Sequence, residues 1–251
     1  MSRNKKRKGI VLAGGKGTRL SPLTLGCSKP LLPVYDKPLI YYPISILQSF
    51  GIEDILIIGS DQQNVYRYLK ATKHLKGNFS FEIQTEARGL SDAFLVGEKF
   101  CEGHPTTLVL GDNIFDGNFN ALTTENLVYG YKVKNPQAYG VIDFNKKTHE
   151  VKRILEKPDM PPTNFAVPGL YHFDHTVVEK AKRVQPSARG ELEITDLINL
   201  YIDEHNMKVS ILPDDMAWFD CGTFDHLLEA SNYVKAIQNR TARVVGKVKE
   251  S

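Results

Sequence analysis

Gly9-Ile-Val-Leu-Ala-Gly-Gly-Lys-Gly-Thr-Arg-Leu-Ser-Pro-Leu-Thr, residues 9–24, with Lys29-Pro-Leu-Leu-Pro soon after it, decides how the chain is read. The apolar run Ile10 to Ala13 predicts a buried strand, and Gly14, Gly15 and Gly17 end it abruptly. Glycines turn tightly and leave backbone N–H groups open, so such a loop can cradle phosphate oxygens. Arg19 and Lys29 add positive charge nearby, which predicts a nucleoside triphosphate site. The loop fits neither common nucleotide fingerprint: it lacks the G-x-x-x-x-G-K-[ST] order and the third glycine of G-x-G-x-x-G. A Gly-Gly-x-Gly turn is often purely structural; the strand before it and the cations after it favour a ligand.

Outward from this loop, apolar strands alternate with helical patterns. Leu39 to Phe50 predicts a helix capped by Gly51, Asp54 to Gly59 a second strand, and Gln63 to Leu69 a short helix. Phe79 to Gln84 reads as a strand, Ser91 to Phe100 as a helix and Thr106 to Leu110 as another buried strand. Such alternation predicts βαβ units, an α/β fold and a mostly parallel sheet. Ligands bind beyond the carboxyl ends of such strands, where the glycine loop, the residues after Gln84 and Asp112 all fall.

The second half is patterned differently. Ala138 to Phe144 and Val151 to Glu156 read as strands around a turn at Asn145-Lys146-Lys147-Thr148, and Phe165 to Phe173 and Lys208 to Leu212 as further strands. Helices are predicted at Thr176 to Arg183, Glu193 to His205 and Thr223 to Ile237. No repeat or low-complexity linker marks a boundary, which predicts one domain in two lobes.

The 251 residues are 41% hydrophobic and 24% charged, an ordinary globular composition, and the net charge of +3 is too small to argue for nucleic acid. Much of that charge sits in Arg3, Lys5, Lys6, Arg7 and Lys8, which read as a solvated, frayed start rather than a localisation signal. No apolar run approaches the roughly 20 residues a membrane helix needs, and no signal-peptide core follows the basic start. Cys27, Cys101 and Cys221 are few, far apart and outside any CxxC pattern, which favours a reducing, cytoplasmic setting.

Asp112 follows an apolar strand and one glycine. A carboxylate there could ligate Mg2+, or serve as a turn or helix-cap residue. Asp220, in Trp218-Phe219-Asp220-Cys221-Gly222-Thr223, is the second candidate carboxylate, again with a cap as the bland alternative. Glu156-Lys157-Pro158 sets an acid beside a base at a strand end. Neighbours in a strand face opposite ways, so the two should not pair with each other. If the proline bends the chain, the acid could meet sugar hydroxyls and the lysine a phosphate; otherwise this is a surface turn. Arg189 to Asp196 reads as a loop entering a helix, with Arg189 its functional candidate. The histidines show no metal spacing, His172-Phe173-Asp174-His175 reads as structural, and no serine or cysteine lies in a nucleophile motif.

Taken together, six segments resemble the sugar-phosphate nucleotidylyltransferases, and among them most closely the glucose-1-phosphate thymidylyltransferases. They are Leu12 to Leu20, Leu31 to Pro38, Gly111 to Phe115, Glu156 to Pro158, Arg189 to Asp196 and Ala217 to Thr223, in that order, and the likeness runs from about Lys8 to about Tyr233. The resemblance implies a Rossmann-like fold, with a nucleotide-binding lobe at about 9–135 and a sugar-phosphate-binding lobe at about 136–235. Residues 1–8 are then a basic tail and 239–251 a polar one. It implies in-line transfer of a nucleotidyl group from dTTP to glucose 1-phosphate with release of pyrophosphate and no covalent intermediate.

By position, the resemblance assigns nucleotide binding to Leu12, Gly14, Gly15, Gly17, Thr18 and Arg19, with Arg19 and Lys29 on the triphosphate and Gln84 and Gly89 at the base edge. Asp112 and Asp220 would hold Mg2+, and Lys157 would orient the sugar phosphate. Tyr139, Gly140, Glu156, Val167 and Arg189 would line its pocket. A homo-oligomer, tetramer or dimer, is also implied.

Three departures bear on specificity. Thymidylyl enzymes usually carry Ser-Lys-Gln where this chain has Ser28-Lys29-Pro30. The base segment reads Gln84-Thr85-Glu86-Ala87-Arg88-Gly89-Leu90-Ser91, without the family's usual prolines, and Val167-Pro168-Gly169 has proline for threonine. A thymine methyl in an apolar pocket is worth only about 1–3 kcal/mol, so use of UTP is expected alongside dTTP, and a UTP-preferring uridylyltransferase is the alternative. A non-catalytic nucleotide- or sugar-binding regulator would be expected had a loop cation or aspartate been replaced. Bacterial members typically continue past Leu227 to Ser231 with helices that form a regulatory site, so that site is expected to be missing or altered here.

Overall fold

The computed structural model describes residues 5–15, 17–60, 62–72, 75–119, 126–145 and 150–250. Arg3, Lys16 and the turn at Lys146 to Thr148 lie outside the described residues. The chain groups into two compact units. One, the glycine-loop unit, comprises Lys8–Ala87, Val109–Ala121 and Asp215–Ser251; the other comprises Met1–Arg7, Arg88–Leu108 and Leu122–Asp214.

In the glycine-loop unit the strand Lys8–Ala13 runs parallel to Asp54–Gly59, which runs parallel to Asn78–Ile83. The first two are continuous apolar runs because both faces are covered: Ile10, Val11 and Ile55 to Ile58 are all buried. Asn78–Ile83 keeps several side chains exposed, as an edge strand does. The helix Tyr41–Ser49 starts two residues later than predicted, with Pro43 in its first turn, where the missing N–H is harmless. Gly51 follows it at φ 74°.

Among the strands that escaped sequence reading, Asn113–Asp116 pairs antiparallel with Ala217–Asp220. Ile114 and Cys221 carry this ribbon into a core with Val34, Leu39, Tyr42, Ala230, Val234 and Val245. Burial pushes the Cys221 thiol far up, so it packs as a small apolar side chain. The last helix runs Phe224–Thr241, beyond the predicted end at Ile237. Thr223 caps it, its side chain accepting from the His226 N–H. The stretch after it is more than a polar tail. Val245 and Val248 are buried, Arg243 pairs with the buried Asp116, and the Lys249 N–H donates to the Gln48 side chain at 2.6 Å.

The other unit is mainly antiparallel: Val151–Glu156 pairs with Gly140–Phe144, and Leu127–Lys132 with both Phe165–Ala166 and Leu170–Phe173. Lys208–Ile211 adds parallel to Leu127–Lys132. The α/β fold therefore carries a mixed sheet, parallel across Lys8–Ala13, Asp54–Gly59 and Asn78–Ile83, as the strand–helix alternation there predicts. The single strand expected over Phe165 to Phe173 is two. Pro168 has no N–H to give a ladder, and the Leu170 N–H closes a tight turn onto its carbonyl at 2.7 Å. The helix expected over Ser91 to Phe100 breaks at Gly97 into Asp92–Val96 and Glu98–Cys101. Among the described residues no helix is long and apolar enough to cross a membrane.

Arg7 is built into this unit instead of fraying, donating to the carbonyls of Thr106 at 3.2 Å and Phe173 at 2.9 Å. His172 lies fully buried, with Nδ1 2.8 Å from the Thr107 hydroxyl and Nε2 3.2 Å from the Tyr129 hydroxyl. Burial first, and the Arg7 charge second, push its pKa down to about 3. The unfolded imidazole titrates near 6.5, so the folded state binds fewer protons below that pH. His172 therefore adds no pH penalty above about 6.5. It lowers stability as pH falls from there toward 3, by up to about 1.4 kcal/mol per pH unit. Melting curves between pH 5 and 7 check this: His172→Asn should flatten the acid side of the profile, and an unchanged slope would refute it.

Candidate active site

In the glycine-loop unit the strand Lys8–Ala13 delivers the chain into Gly14 and Gly15, and Thr18–Leu20 forms one turn of 3₁₀ helix. Gly17 has φ 65°, and a Cβ there would stand 2.8 Å from the Thr24 methyl, so only glycine fits. The Thr24 hydroxyl donates to its carbonyl at 2.9 Å. Gly14 abuts Gln84, whose Oε1 would be 3.0 Å from an added Cβ. Gly15 has nothing within 4 Å of that position, so packing does not explain it. Ala13, Gly15, Ser28, Lys29, Ser60 and Phe81 are among the residues around a cavity of about 250 Å³ beside the loop.

Asp112 sits in the turn between the strands Thr106–Leu110 and Asn113–Asp116, so it caps no helix. Close approach here needs Gly111, where a Cβ would meet Ala13 and the Leu12 carbonyl at 3.0 Å. The Lys29 ammonium donates to Asp112 Oδ2 at 2.6 Å, and the Asn113 amide donates to Oδ1 at 2.9 Å. The Cys221 N–H donates to the Asp112 carbonyl at 2.9 Å. Asp220 stands opposite Asn113 in the antiparallel register, and since Thr223 is the cap, Asp220 is not. Burial and the nearby Asp112 charge push the Asp220 carboxyl up, while Lys29 and Arg19 pull it back. Gly222 marks the closeness of the groups: a Cβ there would lie 3.0 Å from Asp220 Oδ1 and 3.3 Å from an Arg19 guanidinium nitrogen. Leu12, Gly14, Gly15, Gly17, Thr18, Arg19, Lys29, Gln84, Asp112 and Asp220 thus all belong to this unit.

Gly89, Tyr139, Gly140, Glu156, Lys157, Val167 and Arg189 belong to the other unit. Gly140 faces Glu156 across the antiparallel pair, the Val167 N–H donates to its carbonyl at 2.8 Å, and the Lys157 N–H donates to the Tyr139 carbonyl at 3.0 Å. Five of the expected sugar-side residues are joined this way through the main chain. Glu156 and Lys157 do pair, at 3.6 Å, against expectation. Lys157 has φ 39°, a left-handed turn that ends the strand alternation and swings both side chains to one side. Arg189 Nη2 reaches both carboxylate oxygens of Glu193 at 2.9 Å and Glu156 Oε1 at 3.3 Å.

Glu193 is the residue sequence reading passed over. It is buried, accepts from the Ser187 hydroxyl at 2.7 Å, and holds Arg189 from four residues away, a spacing that could have flagged it. Burial and the Glu193 charge push Glu156 up, against Lys157 and Arg189, while the bond to Glu193 pushes Arg189 up. This is a carboxylate-rich cluster held together by two exposed cations, Lys157 and Arg189.

A glycine loop that packs against a strand end, two close carboxylates and two cations beside them suit the handling of polyphosphate. Residues 8–237 match the Nucleotidyl transferase family, and the chain belongs to it. It is 46% identical over 242 residues to the glucose-1-phosphate thymidylyltransferase of Neisseria meningitidis, covering 92% of this chain and 84% of that one. A Bacillus anthracis crystal structure, described as a glucose-1-phosphate thymidylyltransferase in complex with sucrose, is similar at TM-score 0.82 and 33% identity, over 91% of this chain and 95% of that one. A UDP-glucose pyrophosphorylase complexed with UDP-glucose is similar at TM-score 0.81 and 25% identity, over 92% of this chain and 99% of that one.

Proposed function

We propose that this chain transfers the thymidylyl group of dTTP to glucose 1-phosphate, giving dTDP-glucose and pyrophosphate. The observation that carries the reading is the contact of Lys29 with Asp112 at 2.6 Å, in a unit that also sets Arg19 and Asp220 beside Gly222. The 46% identity to a glucose-1-phosphate thymidylyltransferase supports the substrates. A phosphate oxygen of glucose 1-phosphate attacks the α-phosphorus, the bond from that phosphorus to the bridging oxygen breaks, and pyrophosphate leaves with the electron pair. The attacking oxygen is already ionised, so no general base is required. Arg19 and Lys29 grip the triphosphate and neutralise the departing pyrophosphate; backbone N–H groups of Gly14, Gly15 and Gly17 cradle its oxygens. Lys157 and Arg189 hold the sugar phosphate, with Glu156 toward its hydroxyls. Positioning and charge compensation of this kind are the main tools of phosphoryl transfer.

Asp112 and Asp220 fit a hard divalent cation. Both offer oxygen only, and burial together with the Asp112 charge raises the cost of ionising Asp220, which a cation relieves. Mg2+ takes one or two carboxylates and completes its shell with substrate phosphates and water, so such a pair is enough. Bound there, Mg2+ would supply Lewis-acid charge to the phosphate oxygens.

A UTP-preferring reading is favoured by Pro30, which replaces the family's usual glutamine and lies buried, its carbonyl accepting from the Ile40 N–H at 2.8 Å. A matrix of nucleoside triphosphates against sugar 1-phosphates, read by pyrophosphate release, tests both. The highest kcat/KM is expected for dTTP with glucose 1-phosphate, with UTP within about 100-fold. No release with any pair would sink the proposal, and a higher value for UTP would move it to the uridylyl reading.

A further inference from the structure

Trp218 lies in the ribbon strand Ala217–Asp220, two residues before a candidate metal carboxylate. Its indole N–H donates to Asn113 Oδ1 at 2.6 Å, and Asn113 in turn donates through Nδ2 to Asp112 Oδ1 at 2.9 Å. Asn113 is 2% exposed, so this amide has little water to exchange partners with. An indole nitrogen can only donate. Flipping the amide would aim its NH2 at that N–H and its carbonyl at a carboxylate oxygen, making two repulsive contacts where two bonds now stand. Trp218 therefore fixes which end of Asn113 faces Asp112. Asn113 and Lys29, on the two carboxylate oxygens, then hold the carboxylate plane from both sides.

We infer that Trp218 is a positioning residue that orients the Asp112 carboxylate for its cation through the Asn113 amide. The inference rests on the metal role of Asp112 proposed above. Partners outside the ligand shell that orient a ligating group are typically worth 10–100-fold in metal affinity. The ribbon register explains why the relay can exist: Asn113 lies opposite Asp220 and Phe115 opposite Trp218, so the indole reaches diagonally to the amide.

The test is a double-mutant cycle of Trp218→Phe and Asn113→Leu in the full chain, with Asp112→Asn alongside. Mn2+ affinity is read by electron paramagnetic resonance, and the Mg2+ concentration for half-maximal turnover is read at saturating substrates. Trp218→Phe keeps the ring and removes the donor. It is expected to weaken Mn2+ binding and raise the Mg2+ requirement roughly 10-fold each, with KM for dTTP moving less than 3-fold. Asn113→Leu should do the same, and the double variant should be no worse than Asn113→Leu alone, because both act through one bond chain. Independent, multiplying effects would overturn the relay. So would unchanged Mn2+ affinity in a Trp218→Phe protein whose melting point alone had dropped. If Asp112→Asn itself left Mn2+ binding and turnover intact, the metal role would fall, an outcome distinct from failure of the relay.

Discussion

Asp112→Asn should lower kcat for dTDP-glucose formation by roughly 10³-fold, about 4 kcal/mol of transition-state stabilisation, while the protein stays folded. The substitution removes a negative charge from the cation site but almost no volume. Its folding consequence is expected to be small for a reason visible in the charges. Lys29, whose side chain is only 10% exposed, loses its ion pair yet keeps the Asp220 carboxylate nearby and an amide oxygen to donate to. At the same time Asp220 is relieved of its closest repulsion. Losing a partner and losing a repeller offset each other, so the melting temperature should shift by only a few degrees. Pyrophosphate release with saturating Mg2+ and both substrates, run beside a thermal melt, measures the two effects separately. Turnover within 10-fold of the parent would remove Asp112 from the metal site.

The largest expected effect on stability lies in the other unit, at Gly89. Its φ of 104° is a conformation that side chains rarely adopt, and an added Cβ would lie 2.5 Å from the Leu192 carbonyl oxygen and 2.6 Å from its nitrogen. Both obstacles are backbone. They are fixed in turn by the Leu192 N–H donating to Arg88 at 2.7 Å and the Ser91 N–H donating to Leu192 at 3.1 Å. No rotamer change relieves the clash, so Gly89→Ala should cost about 3 kcal/mol or more, on the order of 10 °C in melting temperature. Gly190→Ala is the control: φ is 75° but the space is open, so about 1 kcal/mol is expected. Gly15→Ala is the converse, with neither clash nor positive φ. It should leave the melt unchanged and raise KM for dTTP, since the methyl would occupy ligand space. Equal melts for Gly89→Ala and Gly190→Ala would show that the backbone contact is not limiting.

Burial decided which elements could be read from the sequence. Ile10 to Ala13 and Asp54 to Gly59 were legible because strands covered on both faces are continuous apolar runs bounded by glycine. Asn113–Asp116 was not: it is four residues long, begins and ends polar, and its partner strand lies a hundred positions further on. Pro168 was visible as a residue, but the break it makes shows only against Leu127–Lys132, the strand with which both flanking segments pair. At the site, Arg19, Lys29, Asp112 and Asp220 could be nominated from strand ends and motif order. That the Lys29 ammonium bonds Asp112 at 2.6 Å could not, because side-chain pairing across 83 residues leaves no local trace. The Glu156–Lys157 pair was missed because the left-handed turn at Lys157 occurs without a glycine to announce it. Glu193 was missed because an acid ahead of a helix has a sufficient ordinary explanation in the helix dipole.

The glycine-loop unit is assembled from three separate stretches of chain, and this sets an order of events during synthesis. The glycine loop and its parallel strands emerge first and can condense locally. Asp112 follows, but its ribbon partner Ala217–Asp220 leaves the ribosome only after all of the other unit has been made. Closing a loop of that length is slow relative to local contacts. The two carboxylates are therefore brought together last, and the nascent chain holds its glycine loop well before Asp112 and Asp220 can meet.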